Sequence, residues 1–350
     1  MVGRVPAERL HAQLLSGRPA STAEAVAERL LAIQAQDGRG ARLAIRARSR
    51  GLSAADVDAA LDERRLVVNW LNRGTLHMVR SEDHAWLHML TAPRLMTGNA
   101  RRLAQEGVTP SAAERAVETI ERSLVEEGPL TRRELRDRIA ARGVRTEGQA
   151  LIHLLLLACL RGIALRGPMK GREQAYALVR DWLGVPAHID RDVALAELAR
   201  HYLEGHGPAG DRDLARWSGL ALGDARRGLQ AVASELRRRS DGLLDLARRR
   251  RTATFPPPRL LGAFEPVLLG WMSREEVLGE HASRVVNGGL FRPFAMIEGV
   301  AASVWSVKGG EILREDFRRL SRAEAEALSA EEEAVRRFLG IAARGEAGRA

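Results

Sequence analysis

Apolar residues recur at helical spacing over most of the chain, and short β-type runs interrupt them at intervals. In the N-terminal part, helical patterns cover 7–15, 23–31, 41–48 and 53–61. Ser53 and Asp56 resemble a capping box at the start of the last of these helices. Two β-type runs follow, at 66–70 and 75–79, and they meet around Gly74. Helices followed by a two-stranded hairpin are the layout of a winged helix.

The same order of helices and β-type runs recurs in 113–179 and again in 194–246. A Gly-Pro turn precedes a short helix at Gly128, and a second one does so at Gly207, about 80 residues later. The recurrence indicates an internal repeat at the level of supersecondary structure. A basic, Gly-containing stretch at 166–172 separates the two β-type runs of the second unit and predicts an exposed wing loop.

The pattern changes after three consecutive prolines at 256–258. The stretch 259–318 is Gly-rich and β-like, and a helical pattern with alternating Glu and Arg covers 322–344. We therefore predict a mainly α protein with short β-hairpins (α+β), built from three tandem winged-helix motifs and a β-rich C-terminal element. The predicted domain bounds are 1–112, 113–188, 189–255 and 256–350.

The chain carries a formal charge of +10, which points to a polyanionic partner. Arginine supplies nearly all of the basic residues, since the only lysines are Lys170 and Lys308. A GC-rich genome also produces such an arginine excess, so part of the charge reflects codon usage. The clustering of the arginines still favours a nucleic acid as the partner.

Three features are missing from the sequence, and each limits the cellular compartment that we expect for the protein. No apolar run approaches the roughly 18 residues that span a bilayer. The N-terminus has no apolar signal-peptide core, and the single cysteine, Cys159, excludes an internal disulfide framework. We expect a cytoplasmic protein with no membrane association and no cofactor.

Four stretches together resemble one known family. They are Ala-Ile-Gln-Ala-Gln-Asp at 32–37, Trp-x-x-Arg-Gly-Thr-Leu-His-x-Val at 70–79, Ala-Phe-Glu-Pro-x-Leu-Leu-Gly at 263–270 and Gly-Leu-Phe-Arg-Pro at 289–293. In this order and spacing they resemble the winged-helix DNA glycosylases of the AlkZ/AlkX (YcaQ-like) type. One departure is Glu265, where the family pattern leads us to expect Asp.

The resemblance implies a C-shaped arrangement of winged helices around duplex DNA and hydrolysis of N-glycosidic bonds in alkylated or cross-linked bases. Gln34 and Gln36 match the catalytic pair. The Gln-x-Gln form resembles the AlkZ branch, which is linked to self-resistance against DNA-alkylating natural products, whereas the AlkX branch has Gln-x-Asp.

Two neutral amides can suffice as catalysts if the substrate is already activated. An N3- or N7-alkylated purine is cationic and departs as a neutral base, so the enzyme has only to position a water and tolerate an oxocarbenium-like sugar. In an extended segment, residues two apart point the same way, so Gln34 and Gln36 can hold one water between them. The alternative is that both are ordinary polar residues beside Gly38. Asp37 is a rival base, or a turn or cap residue.

The predicted DNA contacts are basic or polar residues in turns, loops and hairpins: Arg73, His77, Arg166, Lys170, Arg172, Arg248, Arg249, Arg250, Arg251, Arg284 and Asn287. Each has a structural alternative, as a solvated loop, a connector or an ordinary turn, and His77 is as well explained as a hydrogen-bonded structural histidine. His84 and His88 have the i,i+4 spacing of metal ligands, but a surface or interface pair explains them better, and we assign no metal site.

Taken together, the sequence predicts a monomeric, monofunctional DNA glycosylase that acts on double-stranded DNA with cationic N7- or N3-alkylpurines, including bulky natural-product adducts or interstrand cross-links. Lyase activity needs an amine nucleophile, and both lysines lie far along the chain from the glutamines. The alternative is a non-catalytic winged-helix DNA-binding protein or transcriptional regulator. Regulators commonly dimerise to read paired half-sites, whereas this chain places several winged helices in one polypeptide.

Overall fold

The computed structural model describes residues 7–171, 173–185, 189–249 and 254–341. Its first elements follow the predicted order, and Ser53 and Asp56 form the predicted capping box. The elements are α1 (Ala7–Ala12), α2 (Ala23–Leu30), β1 (Ile33–Gln34), α3 (Gly38–Arg46), α4 (Ala54–Asp62), β2 (Leu66–Leu71) and β3 (Thr75–Arg80).

A 25-residue helix, α5 (Ser81–Gln105), then leads out of the first hairpin. Our helical patterns did not include it, and the helix continues through Pro93, a residue that usually ends or kinks a helix. The following elements are α6 (Pro110–Glu127), α7 (Arg132–Ala141), α8 (Ala150–Leu160), β4 (Ala164–Lys170), β5 (Glu173–Leu178) and α9 (Val179–Leu183). The next group is α10 (Arg191–His206), α11 (Asp211–Ser218), α12 (Leu222–Ala231), β6 (Leu236–Arg238) and β7 (Leu244–Leu246).

One pairing recurs in each of these three groups. A short extended segment between two helices, α2 and α3, α6 and α7, or α10 and α11, pairs with the second strand of the hairpin. In the first group β1 pairs with β3. In the second Leu130 bridges Tyr176, and in the third Ala209 bridges Leu244. Leu130 and Ala209 are the residues that follow the two Gly-Pro turns, so the repeat seen in the sequence has a structural counterpart.

The first two hairpins join into one sheet with the strand order β1-β3-β2-β4-β5. The junction is the pairing of β2 with β4 at Val68↔Arg166. The prediction of an exposed wing loop at 166–172 is therefore wrong, since β4 continues as far as Lys170 and Arg166 lies inside the sheet. The predicted segments 1–112 and 113–188 share this sheet.

The C-terminal part is β-rich and ends in a helix. Its elements are β8 (Arg259–Leu261), α13 (Glu275–Leu278), α14 (Ala282–Val285), β9 (Val286–Asn287), β10 (Leu290–Phe291), β11 (Phe294–Ile297), β12 (Val300–Lys308), β13 (Glu311–Asp316) and α15 (Arg322–Leu339). Strands β8, β11, β12 and β13 form a four-stranded sheet. Strands β9 and β10 pair as a hairpin, and Asn287 is the last residue of β9. The final helix ends at Leu339 rather than at the predicted 344, and residues 342–344 lie outside the described part.

Two close contacts fasten the C-terminal part to α3. A Cβ atom at Gly40 would lie 2.3 Å from the carbonyl oxygen of Ala263, so only glycine allows the two backbones to approach this closely. Arg48, just after α3, forms an ion pair with Glu265, and both side chains are fully buried. Among the described residues, no helix is both long enough and apolar enough to cross a membrane.

Candidate active site

Gln34 and Gln36 lie side by side at the edge of the first sheet. Strand β1 places Gln34 opposite His77 of β3, and the next residue continues the pairing, since the Ala35 amide donates to the Leu76 carbonyl at 2.7 Å. The extended backbone therefore turns both glutamine side chains the same way. Gln34 Nε2 donates a hydrogen bond of 2.6 Å to Gln36 Oε1. Gln34 is buried and Gln36 is exposed, so the pair runs from the protein interior to the surface.

Arg73 determines the direction of that hydrogen bond. Its Nη2 lies 3.4 Å from Gln34 Oε1, and a guanidinium can only donate. The oxygen of Gln34 must therefore face Arg73, which leaves its NH₂ group to donate to Gln36. Arg73 is itself held by Nη1, which donates to the carbonyls of Arg216 and Trp217 in the last turn of α11. The negative end of that helix dipole favours a cation here.

Asp37 caps α3. Its carboxylate accepts a hydrogen bond from the Gly40 amide at 2.5 Å, and its backbone is extended, as expected for an N-cap. This contact agrees with the cap alternative for Asp37 rather than with the base alternative. The cap also begins α3 directly after Gln36, so it fixes where the exposed glutamine leaves the strand.

Gln36 borders a cleft of about 930 Å³. Trp70 and Tyr176 form an aromatic part of its wall, with ring centroids 6.4 Å apart. The Arg166 guanidinium lies over the Tyr176 ring at 5.9 Å. The basic residues that line the cleft are Arg39, Arg42, Arg132 and Arg166. The cleft also contains two carboxylates, those of Asp58 and Glu173, and Arg42 binds the first of them.

The predicted DNA-binding cations divide into two groups. Arg73 and Arg166 have no carboxylate within salt-bridge distance among the described residues, and both lie near the glutamines. The others are already paired: Lys170 with Glu134, Arg248 with Glu204, Arg249 with Asp245 and Arg284 with Glu315. Arg249 is nearly buried whereas Arg248 is exposed, so these two neighbours do not present one basic surface. Arg172, Arg250 and Arg251 lie outside the described residues.

The structure places His77 and Asn287 in different environments. His77 is 2% exposed, and its Nδ1 lies 2.8 Å from the Thr75 carbonyl, which favours the buried, structural alternative. Burial lowers the pKa of His77 to about 3, so its ring is neutral near pH 7. Asn287 is exposed in the β9–β10 hairpin.

His84 and His88 lie where α5 packs against β2 and α8. Their rings stack with centroids 5.5 Å apart, His84 lies 2.8 Å from the Asn69 amide, and His88 Nε2 lies 2.9 Å from the Cys159 carbonyl. Within the described ranges, no three His, Cys, Asp or Glu side chains form a group that could hold a metal ion.

Sequence reasoning missed two arginines near the glutamine pair, Arg216 and Arg274. Arg73 Nη1 donates to the Arg216 carbonyl, and Met272, two residues before Arg274, donates its amide to Asp213 of α11. Both charges lower the pKa of Arg73, after the larger effect of burial. Neither stands in a basic run or a Gly-rich loop, and only the fold brings their segments to the β2–β3 turn. The sequence carries no signal that singles them out.

Comparisons with known proteins point to one family. The family model described as DNA glycosylase AlkZ-like matches residues 27–338. An interstrand DNA cross-link repair glycosylase from Streptomyces sahachiroi is 28% identical over 367 residues, covering 97% of this chain and 96% of the relative. The solved structure of the Streptomyces sahachiroi DNA glycosylase AlkZ has a TM-score of 0.76 at 25% identity, covering 96% of this chain and 95% of that one. The chain therefore belongs to the AlkZ-like DNA glycosylase family.

Proposed function

We propose that this protein is a monofunctional DNA glycosylase that hydrolyses the N-glycosidic bond of cationic N7- and N3-alkylpurines in double-stranded DNA, including bulky natural-product adducts and interstrand cross-links. The observation that carries the proposal is the hydrogen-bonded pair of Gln34 and Gln36 at the mouth of a cleft lined with arginines. The name of the curated relative, an interstrand DNA cross-link repair glycosylase, supports the extension to cross-links.

In the proposed reaction, Gln36 holds the water that attacks the anomeric carbon. Its Oε1 accepts one hydrogen bond from Gln34 and has a second lone pair for a water proton, and its NH₂ group is free to donate. The water oxygen forms the new bond to carbon as the N-glycosidic bond breaks. The base leaves with that electron pair as a neutral molecule, and the proton released from the water passes to solvent.

The reaction requires a cationic lesion, because the two glutamines position the water and do not protonate the leaving base. The glutamine amides have no shifted pKa to exploit and supply position rather than proton transfer. An unmodified base would depart as an anion and would need a proton donor. Of the two carboxylates in the cleft, Asp58 is engaged by Arg42, and Glu173 is an exposed residue of β5. The nearby Asp37 caps α3.

We propose further that the three repeated groups are winged helices with the bounds 1–112, 113–188 and 189–255, that with the element 256–350 they form a C-shaped monomer around the duplex, and that the enzyme serves DNA repair and self-resistance. The recurrent pairing of a short segment with the second hairpin strand supports the repeat. The alternative of a non-catalytic regulator is not favoured, because the chain's relatives are named as glycosylases.

The test is chromatographic detection of free base from duplexes that contain N7-methylguanine and from duplexes cross-linked through guanine N7. We expect the wild type to release base, and we expect Gln34→Ala and Gln36→Ala each to slow release about 100-fold, a typical effect of losing one positioned catalytic group. The matched control is Gln230→Ala, which removes an exposed glutamine of α12. Undiminished release by both site variants would remove the pair from the mechanism. Sequence-specific binding of undamaged DNA without any release would favour the regulator.

A further inference from the structure

Arg73 contacts Gln34, and two further arginines lie on segments that are joined to the segment of Arg73 through α11. Arg73 lies in the β2–β3 turn, Arg216 in α11, and Arg274 just before α13. We refer to Arg73, Arg216 and Arg274 as the arginine triad. Hydrogen bonds between side chains and backbone join the three segments to each other.

Two of these contacts meet at α11. Arg73 Nη1 donates to the Arg216 carbonyl at 3.3 Å and to the next carbonyl, so the β2–β3 turn is fixed to the end of the helix. At the other end of α11, Asp213 accepts a hydrogen bond of 2.9 Å from the Met272 amide, which fixes the segment that carries Arg274.

The triad has no compensating carboxylate. Among the described residues, none lies within salt-bridge distance of its members, and the hydrogen-bond acceptors of Arg73 and Arg274 are carbonyls and the Gln34 amide. Burial and the neighbouring Arg216 lower the pKa of Arg274, as burial and the other two arginines lower that of Arg73. By contrast, the cations at Lys170, Arg248 and Arg284 each have a carboxylate partner.

The position of the triad is also specific. On one side, Arg73 Nη2 contacts Gln34, whose partner Gln36 opens into the cleft. On the other side, the Arg274 guanidinium lies 5.0 Å from the ring centroid of Phe291 in the β9–β10 hairpin. The triad therefore lies between the glutamine pair and this hairpin.

We propose that the arginine triad binds a backbone phosphate of the lesion-bearing strand, next to the nucleotide whose base is removed. The inference rests on the proposed function, and it names the contact that holds the strand at the site. Arg73 and Arg274 are partly buried and Arg216 is exposed, and none of the three has a carboxylate partner among the described residues. Such uncompensated guanidinium groups favour an anion, and their forked donors match phosphate oxygens. A phosphate there also offsets the positive charge that would otherwise repel a cationic base and an oxocarbenium-like sugar.

The experiment measures binding to a duplex with one tetrahydrofuran abasic-site analogue, which cannot react. In a series of such duplexes, one linkage at a time is replaced by an uncharged methylphosphonate at the three positions on either side of the analogue. For the wild type, we expect one or two adjacent neutral linkages to weaken binding about tenfold, the effect of losing a charge-assisted hydrogen bond. For the double variant Arg216→Gln/Arg274→Gln, we expect weaker binding to the fully charged duplex and no further loss at those linkages.

The matched control is Arg227→Gln, which removes a cation of α12 that is paired with Asp192. We expect it to keep the wild-type response to every neutral linkage. The slope of log Kd against log salt should fall by about 0.9 for each phosphate contact that the double variant loses. Equal losses in wild type and double variant at every linkage would overturn the proposal, as would a wild type indifferent to all of them.

Failure of this proposal can be told apart from failure of the proposed function, because the experiment measures binding to a site that cannot react. Base release from alkylated duplexes together with a flat methylphosphonate profile would overturn the triad and leave the glycosylase assignment intact. A position-dependent profile without base release anywhere would retain the triad as a phosphate site and overturn the catalytic assignment.

Discussion

Gln34 Oε1 faces the guanidinium of Arg73 at 3.4 Å, and this contact orders the amide of the glutamine behind the exposed Gln36. The donor Arg73 selects the oxygen of Gln34, and the nitrogen of Gln34 then selects the oxygen of Gln36. The chain of contacts is directional because a guanidinium has no acceptor. The two glutamines are consequently not interchangeable, although they are chemically identical.

The first prediction follows from that direction. In Gln36→Glu, the new carboxylate still accepts the hydrogen bond from Gln34 Nε2 and still offers a lone pair to water. In Gln34→Glu, the new carboxylate pairs with Arg73 but has no proton for Gln36, which must turn its own NH₂ group inward. We expect release of N7-methylguanine to stay within about tenfold of wild type for Gln36→Glu and to fall roughly 100-fold for Gln34→Glu.

Single-turnover rates on the methylated duplex measure this asymmetry, and thermal unfolding of both variants checks that the fold is intact. Equal rates for the two variants would show that the direction of the hydrogen bond has no part in the reaction. A faster Gln34→Glu than Gln36→Glu would reverse the assignment of the water-holding glutamine.

The second prediction concerns the stability of the protein in acid. Burial lowers the pKa values of His77, His84 and His206 to about 3, below the ordinary 6.5. As the pH falls below 6.5, these three histidines therefore become protonated in the unfolded chain but stay neutral in the native state. Stability is full above pH 6.5 and is lost progressively as the pH falls toward 3, by up to about 1.4 kcal/mol per pH unit for each histidine.

Urea unfolding between pH 7 and pH 4.5 measures this loss. The variant His84→Asn is less stable than wild type at pH 7, because it loses packing against His88, but its stability should fall less steeply below pH 6.5. If wild type and variant show parallel pH profiles, His84 is not held neutral in the native state.

How far the sequence predicts this molecule depends on the range of each interaction. The Ser53 capping box and the β2–β3 hairpin rest on residues a few positions apart, and both form as predicted. The shared orientation of Gln34 and Gln36 is local as well, because it follows from two-residue alternation in an extended strand.

Long-range contacts account for what the sequence did not show. The Arg73 contact that orders the amides spans 39 residues, and Arg216 and Arg274 reach the site only through the packing around α11. Arg249 illustrates the reverse case. It belongs to the basic run 248–251, and Asp245 lies only four residues before it. Its burial also depends on the carbonyls of Leu203 and Glu204, 46 and 45 residues away, while Arg248 stays exposed.

The third prediction concerns the buried ion pair of Arg48 and Glu265, which joins α3 to the C-terminal part. Removing the carboxylate with Glu265→Ala leaves a buried, uncompensated guanidinium. We expect the free energy of unfolding to fall by about 3–5 kcal/mol. The control is Glu326→Ala, which breaks the exposed pair with Arg322 and should cost less than about 0.5 kcal/mol. Urea unfolding of the two variants measures the loss of unfolding free energy in each. Similar losses would mean that Glu265 has access to solvent.

The last prediction separates hydrolysis from lyase chemistry. A lyase forms a Schiff base between an amine and the sugar, and borohydride reduces that intermediate to a covalent protein–DNA adduct. Lys170 is engaged with Glu134 at 2.8 Å, and Lys308 lies at the end of β12 in the C-terminal sheet. We therefore expect no adduct when wild type turns over alkylated duplex in borohydride, and we expect a product strand that stays uncut until alkali cleaves the abasic site. A trapped adduct that disappears in Lys170→Ala would instead identify that lysine as a nucleophile and contradict the water-based mechanism.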